Sequence, residues 1–285
     1  MYAKYTPTRS QLLKWVGNKQ KFAGEITKCF PADFGTFYEP FLGSGAIMAT
    51  VSPETGVGSD IFKPLIEIWQ QLKDNPNELI EWYAARRNRL DIEDKKEVYE
   101  SVKASFNTNH NGADFLYLTR SCYGGIIRFR KADGYMSTPC GAHTPIPVET
   151  FRRRVRDWSI RMKNVNFLNV DYKEIFDMAK PGDLIYCDPP YSHSQSILYG
   201  AQAFKLEELL ELIGHAKSKG VRVALSIDGN KKSGNYLCDL PIPEGLFEEE
   251  FYVSVGRSML RRFQMEGQTL ESEIVSDRLL LNYFL

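Results

Sequence analysis

The sequence predicts an α/β protein: an open, mostly parallel seven-stranded sheet into which a mainly helical segment is inserted. Three observations carry this. Leu184 to Cys187 is continuously apolar rather than alternating, as in a strand buried on both faces, and it stops at Asp188-Pro189-Pro190-Tyr191 because prolines cannot extend a ladder. A short aromatic strand, Thr36 to Phe41, runs into Leu42-Gly43-Ser44-Gly45-Ala46-Ile47-Met48, a glycine turn that opens a helix. A strand-and-helix rhythm breaks off near Asn75 and resumes after Asn164.

Taken in order, Gln11 to Lys19 places Trp15 between Lys14 and Lys19, ahead of a helix that Asn18 could cap and that runs to about Cys29. An indole there can pack on a ligand while Lys19 offers a positive charge to a carboxylate or phosphate; core packing beside surface lysines is the blander alternative. The loop after the first strand reads Gly-x-Gly-x-x-Met and lacks the third glycine of a dinucleotide fingerprint, which weighs against a nicotinamide enzyme. The second strand, Gly56 to Asp60, ends in an acid, and a carboxylate in this place can accept from two vicinal ribose hydroxyls.

Asn75-Pro76 opens a helical stretch through Leu90, and a charged helix covers about Asp91 to Phe106. Phe115 to Cys140 is dense in Tyr, Arg and Gly, with Gly124-Gly125 as a turn. Arginines interleaved with aromatics suit phosphate contacts, guanine recognition and base stacking. A basic helix, Val148 to Lys163, closes the segment. Strands then follow over Val165 to Val170, Asp183 to Asp188, Val221 to Ile227, Phe247 to Val253 and Arg278 to Phe284, with a helix from about Lys205 to Lys219 and an antiparallel hairpin at the sheet edge. Residues 1–75 and 165–285 thus form one α/β domain and 76–164 an insertion. Right-handed, short connections gather Gly43, Asp60, Asp171 and Asp188 along one edge.

Composition is that of a globular chain, 43% hydrophobic and 25% charged over 285 residues, with no apolar run near the ~20 residues needed to span a bilayer. The polar start has no signal-peptide core, so a cytoplasmic protein is expected. Five scattered cysteines and four histidines indicate neither a zinc site nor a disulfide framework. The net charge is zero, yet Arg120 to Lys163 holds ten Lys/Arg against three Asp/Glu. A basic patch on a neutral protein is the footprint of a phosphate-bearing partner or, more plainly, a solvated face.

Together these residues carry a resemblance to the Dam-type DNA adenine-N6 methyltransferases (the D12 class, alpha group). Lys14-Trp15-Val16-Gly17-Asn18-Lys19 is similar to their first motif, and Tyr38-Glu39-Pro40-Phe41-Leu42-Gly43-Ser44-Gly45 to their methyl-donor loop. Asp60 matches the acidic strand end, Asp188-Pro189-Pro190-Tyr191 the catalytic motif, Arg128 to Gly141 the target-recognition hairpin, and Arg257-Ser258 with Leu279 to Tyr283 the final hairpin. Where the family usually reads Tyr-Asn-Gly, this chain has Tyr123-Gly124-Gly125.

The resemblance implies a Rossmann-like methyltransferase that binds S-adenosyl-L-methionine through Trp15, Lys19, Pro40, Gly43, Ser44, Gly45, Asp60, Asp171 and Asp188. It implies catalysis by Asp188, Pro189 and Tyr191, the first two accepting hydrogen bonds from an exocyclic amine and the tyrosine stacking on the ring. It assigns contacts with double-stranded DNA to Lys14, Tyr123, Arg128, Arg130, Arg152, Arg153, Arg154 and Arg257, and adds a cognate restriction endonuclease as a candidate partner. An RNA base methyltransferase of the same fold and a non-catalytic DNA-binding relative are the alternatives. The target site and oligomeric state are not fixed by the sequence.

Overall fold

A computed structural model describes residues 5–190, 204–231, 242–256 and 275–285. Seven strands form one sheet: β1 (Phe37–Glu39), β2 (Gly56–Ser59), β3 (Val165–Leu168), β4 (Leu184–Cys187), β5 (Arg222–Lys231), β6 (Glu249–Gly256) and β7 (Val275–Leu281), in the order β3-β2-β1-β4-β5-β7-β6. The first five pair in parallel, and β7 lies antiparallel between β5 and β6. The seven strands and the antiparallel edge match the sequence reading.

Chain order reverses between β1 and β4, which pair directly (Phe37 with Leu184, Tyr38 with Ile185). Such a reversal leaves a crevice at the carboxyl ends of the two strands, because their connections leave in opposite directions. Asp183 fixes the other end of this pair by accepting hydrogen bonds from Thr36 N and Lys180 N, each at 2.8 Å.

On one side of the sheet a single core is shared by α1 (Ala23–Lys28), α2 (Ala46–Val51), α3 (Lys63–Asp74), α4 (Pro76–Arg87), α5 (Lys95–Thr108), α6 (Gly112–Ser121) and α7 (Val148–Met162). The other face is covered by α8 (Tyr172–Met178) and α9 (Leu206–Ser218). The insertion helices start where their caps dictate. Asn75 accepts from Glu78 N ahead of Pro76, Asp94 from Lys96 N and Glu97 N, and Asn111 from Asp114 N. In α7 the buried residues Phe151, Val155, Trp158 and Met162 recur every three to four positions. Through them the helix joins the core of the sheet: Trp158 stacks on Trp69 of α3 at 5.6 Å, and Phe151 meets Tyr83 of α4 at 4.3 Å.

Two expectations need correction. Asn18 caps no helix; its side chain accepts from Gln20 N in a turn, and α1 begins only at Ala23. The charged helix begins at Lys95 rather than near Asp91, since the Asp94 carboxylate takes the first orphan N–H groups. The sequence reading also passed over α3, α6 and α8. No helix among the described residues is long and apolar enough to cross a membrane.

Candidate active site

A cavity of about 270 Å³ opens at the switch point between β1 and β4. Its walls are Trp15, Val16 and Lys19; residues 39–47 after β1; Asp60 and Ile61 after β2; Asp171 and Tyr172 after β3; and Asp188 to Pro190 after β4. Gly125 and Ile127 of the insertion, together with Phe204, complete the rim. The four positions expected along one sheet edge, Gly43, Asp60, Asp171 and Asp188, all line this cavity.

The glycine loop is held from several sides. Gly43 and Gly45 have φ of +45° and +62°, backbone that a side chain strains. A Cβ at Gly43 would sit 2.9 Å from Trp15 Nε1, and one at Gly45 would sit 3.0 Å from Met162 Cε. The Gly43 N–H donates to Asp60 Oδ2 (3.2 Å), while Trp69 Nε1 donates to the Gly43 carbonyl (3.2 Å). Asp60 Oδ1 accepts from Phe62 N at 3.0 Å. Pro40 and Ser44 are buried within the loop's base. Asp171 forms a capping box at the start of α8, accepting from Lys173 N.

Asp188 is half-buried and pairs with Lys19, Nζ to Oδ1 at 2.8 Å. Lys19 is only 5% exposed and also donates to the Gly17 carbonyl at 3.4 Å. The ammonium therefore rests on an oxygen that an exocyclic amine would need. Sequence reasoning set Lys19 against an anionic ligand; the structure sets it against the aspartate itself.

Behind the pair lies Glu39, which the sequence reading left out of the site. It is 3% exposed, and its Oε2 accepts from Met48 N at 2.8 Å. Burial holds its carboxyl well above the usual carboxylate range, the Met48 N–H opposes this, and the nearby Asp188 charge adds to it. Burial likewise keeps the Cys187 thiol protonated, reinforced by Asp188 and Glu39. The signal for Glu39 was its place next to Pro40, at the end of a fully buried strand where a lone acid is expensive.

The residues expected on DNA divide. Lys14 abuts the Gly124-Gly125 turn, since a Cβ at Gly125 would meet Lys14 Cβ at 3.0 Å. Tyr123 and Arg128 are exposed close to the cavity rim. Arg130 is exposed but clamped within its own turn, bidentate to Asp133 (3.1 and 2.6 Å) and 4.3 Å over the Tyr135 ring. The hairpin of 128–138 is closed by the Phe129–Met136 bridge. On α7, Arg152 pairs with Glu149 and Arg153 is exposed, whereas Arg154 turns inward to the Gln11 carbonyl. Tyr191 and Arg257 lie outside the described residues.

The sheet order, the pinned Gly-x-Gly loop and the Asp-Pro-Pro after the switch strand define a Rossmann-like methyltransferase. The model of the D12 class N6 adenine-specific DNA methyltransferases matches residues 15–246, and the chain belongs to that family. It is similar to the type II methyltransferase M1.LlaDCHI of Lactococcus lactis, with 27% identity over 230 residues, covering 75% of this chain and 79% of that one. It is similar to the DNA adenine methylase of Vibrio cholerae (27% over 231 residues, 75% and 79%). It also resembles the DNA adenine methylase of Haemophilus influenzae (29% over 221 residues, 72% and 73%).

Proposed function

We propose that the chain methylates N6 of an adenine flipped out of duplex DNA, with S-adenosyl-L-methionine as donor. The observation that carries this reading is the Asp188-Pro189 pair, which lines the same cavity as the glycine loop. N6 is shielded within a duplex, so the base must leave the stack, at a cost of a few kcal/mol.

The cavity suits the donor on its own geometry. The left-handed glycines put backbone on the cavity wall, the buried Asp60 carboxylate beside them is the kind of acceptor that ribose hydroxyls use, and Phe41, Ile61 and Tyr172 offer apolar surface to a nucleoside. Trp15, Pro40, Gly43, Ser44, Gly45, Asp60 and Asp171 would hold it. When bound, it supplies a methyl group on a sulfonium, open to direct displacement.

The protein's part is positioning and electrostatics. The adenine amine is a poor nucleophile because its lone pair is delocalised into the ring. Asp188 and the Pro189 carbonyl each accept one N–H, which draws electron density back to nitrogen and aims its lone pair. Lys19 withdraws from the Asp188 oxygen when the amine arrives, and Tyr191 stacks on the base. Burial holds the Glu39 carboxyl well above the usual range, which disfavours a second negative charge beside Asp188.

Residues 76–164 carry target recognition in this reading. Tyr123 and Arg128 address bases, and Lys14, Arg152 and Arg153 address phosphates. A cognate restriction endonuclease is the partner to seek, in keeping with the type II name of the Lactococcus relative. Incubation with tritiated donor and duplex DNA, single-stranded DNA or RNA tests the whole. Labelled N6-methyladenine in duplex DNA is expected; label in RNA alone, or N4-methylcytosine, would overturn it.

A further inference from the structure

Helix α7 has two faces that do different work. Arg153, Arg156 and Ile160 point to solvent, in line with the proposed phosphate contacts. Arg154, Trp158 and Arg161 form the opposite stripe, and each donates to a backbone carbonyl near the amino terminus: Arg154 Nη1 to Gln11 (2.6 Å), Trp158 Nε1 to Ser10 (2.9 Å) and Arg161 Nη1 to Thr6 (2.6 Å). From α6, Arg120 Nη1 donates to Leu12 (2.6 Å) and to Gln11 (3.3 Å). Gln20 Nε2 closes the segment by donating to the Thr8 carbonyl and hydroxyl (2.8 and 2.9 Å).

Two guanidinium groups therefore share the Gln11 carbonyl in a buried place, Arg120 being 4% exposed. Burial first, and then the Arg154 charge, pulls Arg120 down to about 10. Among the described residues no carboxylate lies within ion-pair distance of either group. A buried cation answered by carbonyls and the Tyr83 hydroxyl rather than by a carboxylate is a poor source of stability, and an apolar side chain of like volume would serve the core better. What the arrangement does supply is a fixed backbone path. After Leu12 and Leu13, both fully buried, the chain reaches Trp15 against Gly43 and Lys19 on Asp188.

We propose that Arg120 and Arg154 are positioning residues: they strap residues 6–13 to α6 and α7, and so set Trp15 on the glycine loop and Lys19 on Asp188. The proposal rests on the function argued above and deepens it. The helix that offers its outer charges to the duplex grips, on its inner face, the segment leading to Trp15 and to Lys19, the partner of Asp188. Duplex docking and pocket geometry are thereby linked through one element.

The test uses the full chain with Arg154→Met and Arg154→Lys, the half-buried partner being the safer one to change. Three measurements are made: amide exchange of peptides from 8–19 and from β4, duplex affinity, and kcat under saturating donor and duplex. Arg154→Met should speed exchange in 8–19 but not in β4, leave duplex affinity within about twofold, and lower kcat by roughly 10- to 10²-fold, the scale of small misplacements at a reacting centre. Arg154→Lys, which can still donate to Gln11, should restore most of the turnover. Exchange that rises throughout the protein, or an unchanged kcat in the folded variant, would overturn the proposal in favour of plain packing. Duplex affinity lost in step with turnover would overturn it in favour of a phosphate contact. A wild-type chain that transfers no methyl group refutes the proposed function instead, and the exchange pattern still judges the strap.

Discussion

The cavity is bordered by two turns that rely on the same backbone device and use it to opposite ends. Gly43 and Gly45 in one, and Gly124 and Gly125 in the other, all have φ between +45° and +70°. The first turn is locked: Asp60, Trp69 and Trp15 hold Gly43, and Glu39 anchors the helix that follows through Met48 N. The second is closed by backbone bonds, Tyr123 N–H to the Pro139 carbonyl (2.9 Å), Gly125 N–H to Cys122 (3.3 Å) and Ile126 N–H to Tyr123 (3.2 Å), with Tyr123 and Gly124 exposed. A turn built for one invariant ligand can be buried and over-determined. The second turn keeps Tyr123 and Gly124 outside, where a turn proposed to meet a duplex needs them, and packs only Gly125, against Lys14.

The largest expected effect lies on the locked side. Asp188→Ala removes the acceptor proposed for the amine and the carboxylate paired with Lys19, and should lower kcat by at least roughly 10²-fold, as when one positioned group is lost at a reacting centre. Duplex affinity should stay within a few-fold. Near-normal turnover of the folded variant would break the division between catalytic and recognition sides. Next in size is Gly43→Ala, whose methyl group meets Trp15 at a left-handed φ. It should cost about 1–3 kcal/mol of stability and weaken donor binding. Calorimetry with the donor, beside a thermal unfolding curve, checks both, and unaltered donor affinity would show that the lock is not needed.

The two sides also differed in how far they could be read from sequence. The locked side was legible because its constraints are local: glycines directly after a strand, acids at strand ends, and prolines that end β4. Glu39 escaped because its meaning depends on burial, and Lys19 was set against a ligand because its contact with Asp188 spans 169 positions of sequence. On the recognition side, composition showed ten cations but not their direction. Arg120, Arg130, Arg153 and Arg154 look alike in a chain, yet one is buried on carbonyls, one is clamped by Asp133, one is exposed and one faces inward. Helical phase decides between them, and α6 had not been recognised as a helix.

The recognition side should itself split between shape and charge. Arg128→Ala should lower preference for the cognate site by ~1–3 kcal/mol if that arginine reads guanine. Arg153→Ala should weaken cognate and random duplexes alike and reduce the salt slope by about one. Competition binding at several salt concentrations separates the two. Equal loss on all duplexes for Arg128→Ala would make it a phosphate anchor.

A smaller effect sharpens what locking costs. The ordinary value of the Glu39 carboxyl is 4.5, and burial raises it in the folded chain, so folding takes up a proton there. That contribution is complete below the ordinary value and is lost as pH rises through the folded value. Glu39→Gln can still accept from Met48 N but cannot ionise. Its unfolding midpoint should therefore fall less steeply than that of the wild type as pH rises above the ordinary carboxyl value of 4.5. Parallel curves for the two proteins would mean that Glu39 is ionised in the folded chain.

The smallest expected effect falls on Gly124, where φ is +64° at an exposed position. Alanine there should cost about 1 kcal/mol for the left-handed backbone alone, and asparagine less, because its short polar side chain tolerates that region. Gly43→Ala should exceed both, since a contact adds to the same backbone strain. Gly124→Asn also restores the side chain usual in Dam-type enzymes next to a tyrosine already poised at the cavity rim. If the turn reads the duplex, this change should alter which sites are methylated while kcat on the best site stays within a few-fold. Sequencing of methylated positions on a random duplex library is the measurement. An unchanged site profile in Gly124→Asn, together with a changed one in Arg128→Ala, would move recognition from the turn to the hairpin beyond it.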